Sequence, residues 1–178
     1  YVGISLDGVG GVNDSFRGKK GAFDAAIKGL ENCRSVGLKV GLRFTITSFN
    51  ADQIPPILDL VEELKIPRVC FYHLVYSGRA KTLTNGILKP EQTRKWVNYI
   101  FERTQDLCEK NPNIEVLTVD NHADAPFLYL WLAKRDVQRA ERALELLRIN
   151  GGNASGEKIA CIDWKGDVHP DQFWLHYT

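Results

Sequence analysis

Val2, Ile4 and Leu6 alternate with Tyr1, Gly3 and Ser5 before the chain breaks at Asp7-Gly8, the pattern of a buried strand ending in a turn. From Ala22 the period changes to 3.6: Phe23, Ala26, Ile27, Leu30, Cys33 and Val36 form one stripe and Gly37 stops it, which predicts a helix. Between them, Asn13 to Gly21 reads as a long polar loop. Leu38 to Thr47 alternates again, with Val40, Leu42, Phe44 and Ile46 on one face and Lys39, Gly41, Arg43, Thr45 and Thr47 on the other. A second helix follows, with Asn50 as its candidate N-cap, Pro55-Pro56 delaying its regular part, and Ile57, Leu58, Val61 and Leu64 as its buried face. Arg68 to Tyr76, RVCFYHLVY, is apolar almost throughout, as parallel strands covered on both faces are. Pro90 opens a helix with the stripe Trp96, Val97, Ile100, Phe101, Thr104, Leu107 and Cys108, and Asn111-Pro112-Asn113 ends it. Ile114 to Val119 is a fourth strand. One long helix is predicted from Pro126 to Ile149, and after the turn-rich 150–156 segment a hairpin runs through Lys165-Gly166-Asp167.

Strands alternating with helices imply an α/β fold with a parallel sheet, in which ligands bind where strands end. Ser5 and Asp7 stand at the first such end, as turn residues or as ligand contacts. Arg43 lies on the face of its strand that a barrel would turn inward, and is either a salt-bridged core residue or an anion ligand. His73 interrupts the apolar third strand, as a satisfied core residue or a ligand. That strand exits through Tyr76, Ser77, Gly78 and Arg79, an ordinary turn or a place where a planar ligand approaches the backbone. The fourth ends in Asp120-Asn121-His122-Ala123-Asp124, the densest group of acid, base or metal-capable residues in the chain. Asp120 and Asp124 also suit a turn and a helix cap, which leaves His122 unexplained.

Composition narrows the classes without naming a partner. The 178 residues suit one domain of ordinary size, and 23 basic against 22 acidic residues give a net charge of +1, so no basic field points to nucleic acid. The apolar runs are too short to span a membrane and no signal segment is visible, which predicts a soluble, cytoplasmic protein. Cys33, Cys70, Cys108 and Cys161 form no CxxC pair. The first three fall in apolar stripes or a strand, where free cysteine acts as a small hydrophobe.

The phrases ISLDG, NDSFRG with GAFD, GLRFTIT, the SGR strand exit and the hairpin IDWKGDVHP together resemble the radical S-adenosylmethionine family with a SPASM-type C-terminal extension, and RVCFYHLVYSGRA with VHPDQFW resembles its heme d1-forming branch. The resemblance covers essentially the whole chain. It implies the C-terminal part of a partial (β/α) TIM-type barrel over residues 1–149 and the start of the extension over 150–178. It also implies S-adenosylmethionine and a [4Fe-4S] cluster that reduces it to a 5′-deoxyadenosyl radical, on a CxxxCxxC loop expected before Tyr1. By motif position Ser5 contacts the cofactor ribose, Arg43 its carboxylate or ribose region, and the backbone near Tyr76 and Gly78 its adenine, with Asp7 at the same strand end. Asp120 and His122 become candidate catalytic residues, and His73 and Arg79 candidate substrate contacts. The implied substrate is a siroheme-derived tetrapyrrole losing propionate side chains, and the implied electron donor is a ferredoxin or flavodoxin. The chain departs from the family where Asp171 follows Pro170 in place of a cluster cysteine. Cys161 is then either a ligand of an auxiliary [4Fe-4S] cluster or a packing residue. A peptide-modifying maturase with the same core, and a non-catalytic α/β binding domain, remain the alternatives. Without the cluster loop, these residues alone are expected to be inactive.

Overall fold

A computed structural model describes residues 1–77, 80 and 84–176, and the chain forms two compact units. The first, Tyr1–Leu74 with Leu83–Asp120, carries a parallel sheet in the order β1 (Val2–Ser5), β2 (Val40–Ile46), β3 (Arg68–His73), β4 (Glu115–Val119). Its α/β character and strand positions follow the sequence pattern. Connecting the strands are α1 (Gly11–Arg17), α2 (Ala22–Ser35), α3 (Ile54–Glu63) and α4 (Pro90–Lys110).

The alternation of β2 decides which face the helices cover. Val40, Leu42, Phe44 and Ile46 are buried, and with Val69 and Phe71 of β3 they meet Leu30 of α2, Ile54, Ile57, Leu58 and Val61 of α3, and Ile100 and Leu107 of α4. The rings of Phe44 and Phe71 pack at 5.6 Å and 59° in the middle of this layer. Truncating either to alanine costs about 3–5 kcal/mol, because transfer free energy is lost and a cavity remains. The opposite face carries Arg43, Ser5, Glu115 and Leu117, all exposed.

Two expectations are corrected. The polar loop after β1 contains the helix α1, whose sequence has no apolar stripe. It is held by side-chain contacts to the residue just after β1: Asn13 Oδ1 accepts from Asp7 N at 2.9 Å, and Arg17 pairs with Asp7. The carboxylate of Asp14 then accepts from Gly21 N and Phe23 N at 2.5 and 2.8 Å, so one helix caps the start of the next. The single long helix predicted after Pro126 is two, α5 (Asp124–Ala133) and α6 (Val137–Asn150). The break falls at Lys134-Arg135-Asp136, where Asp136 adopts extended backbone and its side chain accepts from Arg139 N at 3.0 Å, a helix N-cap.

The second unit, Val75–Thr82 with Asn121–Thr178, holds α5, α6 and an antiparallel hairpin of β5 (Cys161–Ile162) and β6 (Val168–His169). Asp163 shapes the hairpin turn by accepting from Lys165 N at 2.8 Å and Asp167 N at 3.0 Å, and Gly166 takes the positive φ of 93° that the turn needs. Among the described residues no helix is long and apolar enough to cross a membrane.

Candidate functional site

Parallel register places side chains in rows across the sheet. Ser5 pairs with Arg43, Arg43 with Cys70, and Cys70 with Leu117, so these four residues form one row across all four strands on the face that carries no core cluster. Thr45, Tyr72 and Val119 form the next row toward the strand C-termini, and Gly3 and Gly41 begin the row below. Two residues singled out from the sequence, Ser5 and Arg43, are therefore neighbours on adjacent strands.

Arg43 is exposed, and its guanidinium carbon lies 4.8 Å above the centre of the Tyr72 ring, a cation–π stack. Among the described residues no carboxylate pairs with it. Of the two readings open at the sequence level, the salt-bridged core residue is thus not the arrangement seen. Cys70 stands beside Arg43 in the row. Burial pushes its thiol pKa up, against the pull of Arg68 and Arg43, so at neutral pH it is an uncharged wall of the site. The bottom of the same face is closed by Arg68, which bonds Glu115 Oε2 through Nε at 2.7 Å and stacks 4.8 Å over the Tyr1 ring.

Asp7, one residue beyond Leu6 at the end of β1, is 1% exposed. Its carboxylate accepts from Thr45 N at 2.8 Å and pairs with Arg17. Burial raises its pKa, opposed by the Thr45 N–H and by Arg17. Next to it Asn50, 0% exposed, gives all its bonding capacity to the strand ends. Its Nδ2 donates to the carbonyls of Asp7 and Thr45 at 3.0 Å each, and its Oδ1 accepts from Thr47 N at 2.9 Å and Thr47 Oγ1 at 2.7 Å. The side chain read as a helix N-cap makes no cap bond. It joins the chain just after β1 to the C-terminal end of β2, two residues beyond the Ser5–Arg43 row.

The other candidates are distributed more widely. His73 pairs in register with Ile46, on the face of Phe71 and Val69 that the helices cover, one side of the sheet away from Arg43. Asp120 follows β4 directly, exposed, with φ of 67°, a left-handed conformation uncommon outside glycine, asparagine and aspartate. Tyr76 and His122 belong to the second unit and are exposed. In that unit Asp124 is buried at the start of α5 and accepts from Asn121 Nδ2 at 2.9 Å. Gly78 and Arg79 lie outside the described residues.

Cys161, half-buried, faces His169 across the hairpin, and His169 Nε2 lies 3.7 Å from Asp163 Oδ2. Burial pushes the Asp163 pKa up, but the N–H groups of Lys165 and Asp167 and the His169 imidazole bring it down on balance. Asp171 is 7% exposed, accepting from Phe173 N at 2.7 Å and from the Ser155 hydroxyl. Among the described residues no three His, Cys, Asp or Glu side chains converge to hold a metal, and the four cysteines stand apart on α2, β3, α4 and β5. These residues therefore do not by themselves form an iron-sulfur cradle. The Ser5–Arg43 row does suit an organic anion: a guanidinium without a carboxylate partner among the described residues sits beside an exposed hydroxyl, the donor set for a carboxylate and a sugar hydroxyl.

Register is the signal that would have put Tyr72 on the face of Arg43. In a strand as apolar as RVCFYHLVY, the sequence alone does not say which residues face which way.

No family model matches the chain. It is 57% identical over 178 residues to Fe-coproporphyrin III synthase of Methanosarcina barkeri, covering 100% of this chain and 45% of that protein. It is 40% identical over 181 residues to pre-heme d1 synthase of Dinoroseobacter shibae, again covering 100% and 45%. Over 100 residues it is 29% identical to an AdoMet-dependent heme synthase of Oleidesulfovibrio alaskensis, covering 56% of this chain and 26% of that protein. The chain spans about half the length of the first two relatives.

Proposed function

Because the chain belongs to the radical S-adenosylmethionine family that includes these heme-forming relatives, we propose that it is part of an enzyme that removes carboxylate-bearing side chains from a siroheme-derived tetrapyrrole. The observation that carries the reading is the Ser5–Arg43 row on the sheet face opposite the core, where Ser5 ends β1 and Arg43 stands in the middle of β2. There Arg43 binds the carboxylate of S-adenosylmethionine and Ser5 its ribose. Bound to a reduced [4Fe-4S] cluster whose main ligands are not among these residues, that cofactor supplies radical chemistry. This chain's own residues bind and orient. Arg43 fixes the charged end, Ser5 reads a hydroxyl, Cys70 and Leu117 give an uncharged wall, and the Asp7–Asn50 network keeps the two strand ends in register.

Residues 1–149 are read as the C-terminal part of the barrel and 150–178 as the start of a SPASM-like extension. The motif positions favour backbone near Tyr76 and Gly78 as adenine contacts. Asp120 and His122 are catalytic candidates by their place at a strand end, and Arg79 is a substrate contact at a strand exit. His73, also at a strand end, lies on the helix-covered side of the sheet and does not share the face of Arg43, and Cys161 is either a ligand of an auxiliary [4Fe-4S] cluster or a packing residue. A ferredoxin or flavodoxin is the electron donor. The higher identity to the Fe-coproporphyrin III synthase favours that product over pre-heme d1, which is the second reading.

The test is product mass. The complete native polypeptide, reconstituted with iron and sulfide, is incubated with dithionite, S-adenosylmethionine and a siroheme-derived porphyrin, or with a peptide in its place. A porphyrin product of the mass of Fe-coproporphyrin III is the expected result, and the mass of pre-heme d1 supports the second reading. Modification of the peptide with the porphyrin unchanged overturns both.

A further inference from the structure

We propose that Tyr72 and Gly3 are positioning residues for Arg43, holding its guanidinium over the open face in the geometry that takes the carboxylate of S-adenosylmethionine. The proposal rests on the reading of Arg43 given above. An arginine on an uncovered strand face has many rotamers open to it, and fixing one of them costs side-chain entropy at the moment of binding. Two neighbours limit that freedom in advance. On β3, the Tyr72 ring lies 4.8 Å beneath the guanidinium carbon. On β1, Gly3 has no side chain, and a Cβ built there would meet Arg43 Cδ at 2.7 Å and Cγ at 3.2 Å. The stem of Arg43 thus runs through space that any other residue at position 3 would fill.

Neither residue belongs to the hydrophobic core, although Tyr72 also bonds the Cys70 side chain. Tyr72 is outside the hydrophobic cluster that joins the sheet to α2, α3 and α4, and belongs by register to the opposite face. Gly3 has no positive φ that would call for glycine. The Tyr72 ring offers the cation a π-face and no carboxylate acceptor, so the bidentate N–H pair of Arg43 remains for a carboxylate ligand. The ring therefore supports the cation without competing for its hydrogen bonds.

The test measures equilibrium binding of S-adenosylmethionine, and of its decarboxylated analogue, to the reconstituted complete polypeptide by calorimetry, without turnover. Tyr72→Phe keeps the ring and is expected to bind within about twofold of wild type, while Tyr72→Leu weakens S-adenosylmethionine about fivefold. The decarboxylated analogue is expected to bind both variants alike, and Tyr72→Leu should add nothing in an Arg43→Ala background. Gly3→Ala, whose Cβ would crowd only the flexible Arg43 stem and would meet Tyr1 Cε1 at an ordinary contact distance of 3.6 Å, should reproduce the loss with the thermal midpoint unchanged. If Phe and Leu are equally impaired, or if Leu weakens both ligands or still costs affinity without Arg43, the positioning role is wrong while the role of Arg43 stands. If Arg43→Ala alone changes nothing, the reading of Arg43 fails first and the proposal falls with it.

Discussion

Replacing Asn50 by alanine removes four hydrogen bonds at a side chain that is 0% exposed. Two donors of Thr47 lose their acceptor, and the carbonyls of Asp7 and Thr45 lose the amide that bridges them. A buried polar group left without its partner costs about 1–3 kcal/mol. The losses do not simply add, because a water entering the vacated space restores part of the bonding, so a total of about 3 kcal/mol is expected for Asn50→Ala. With a urea dependence of about 2 kcal/mol per molar, the unfolding midpoint drops by about 1.5 M. Urea titration of the complete polypeptide, followed by circular dichroism, measures it. Amide exchange at Thr45 and Thr47 should accelerate in the same variant, since both flank the bridge that joins β1 to β2. A midpoint within 0.3 M of wild type, roughly half a kcal/mol on that slope, would refute the claim that Asn50 fastens the strand ends.

Two carboxylates near the same strand end should show opposite pH trends. Asp7 has a folded pKa above its ordinary 3.8, so the stability it contributes is fully present below that value and is lost as pH rises through the folded pKa. The thermal midpoint of wild type relative to Asp7→Asn should therefore fall as pH climbs from 4 to 7, and a flat difference would contradict it. The pKa of Asp14 is lowered by the N–H groups of Phe23 and Gly21, so its contribution is present above 3.8 and lost as pH falls through the folded pKa. Asp14→Ala should thus lower the midpoint at pH 7 and converge on wild type in acid. Gly41→Ala places a Cβ 2.8 Å from the Arg68 carbonyl, a backbone atom that cannot swing away, and should destabilise by about 1–3 kcal/mol in the same urea assay.

Much of the first unit was legible because one face of its sheet is buried. The alternation from Val40 to Ile46 named the core side and put Arg43 on the other. The α4 stripe holds Val97, Ile100 and Leu107, which are buried, and the α2 stripe holds down to Cys33, but its last member, Val36, follows the end of the helix and is exposed. What stayed hidden depends on side-chain contacts that leave no apolar period. The helix α1 is made by Asp7 reaching Arg17 and Asn13, which no local period records. The break between α5 and α6 contains neither glycine nor proline, and its one local signal is the N-cap Asp136. Of the candidate site, Ser5 and Arg43 could be placed from strand parity. His73 could not, because in a strand so uniformly apolar nothing distinguishes the face shared with Phe71 from the face shared with Tyr72.

The most direct measurement is the affinity of the reconstituted complete polypeptide for S-adenosylmethionine with Arg43 replaced by alanine. A charged hydrogen-bonding partner of a carboxylate is worth about 1.5–3 kcal/mol, so binding should weaken ten- to a hundredfold or slightly more while the unfolding midpoint holds. Unchanged affinity in a folded Arg43→Ala protein would contradict the assignment of the Ser5–Arg43 row to this cofactor.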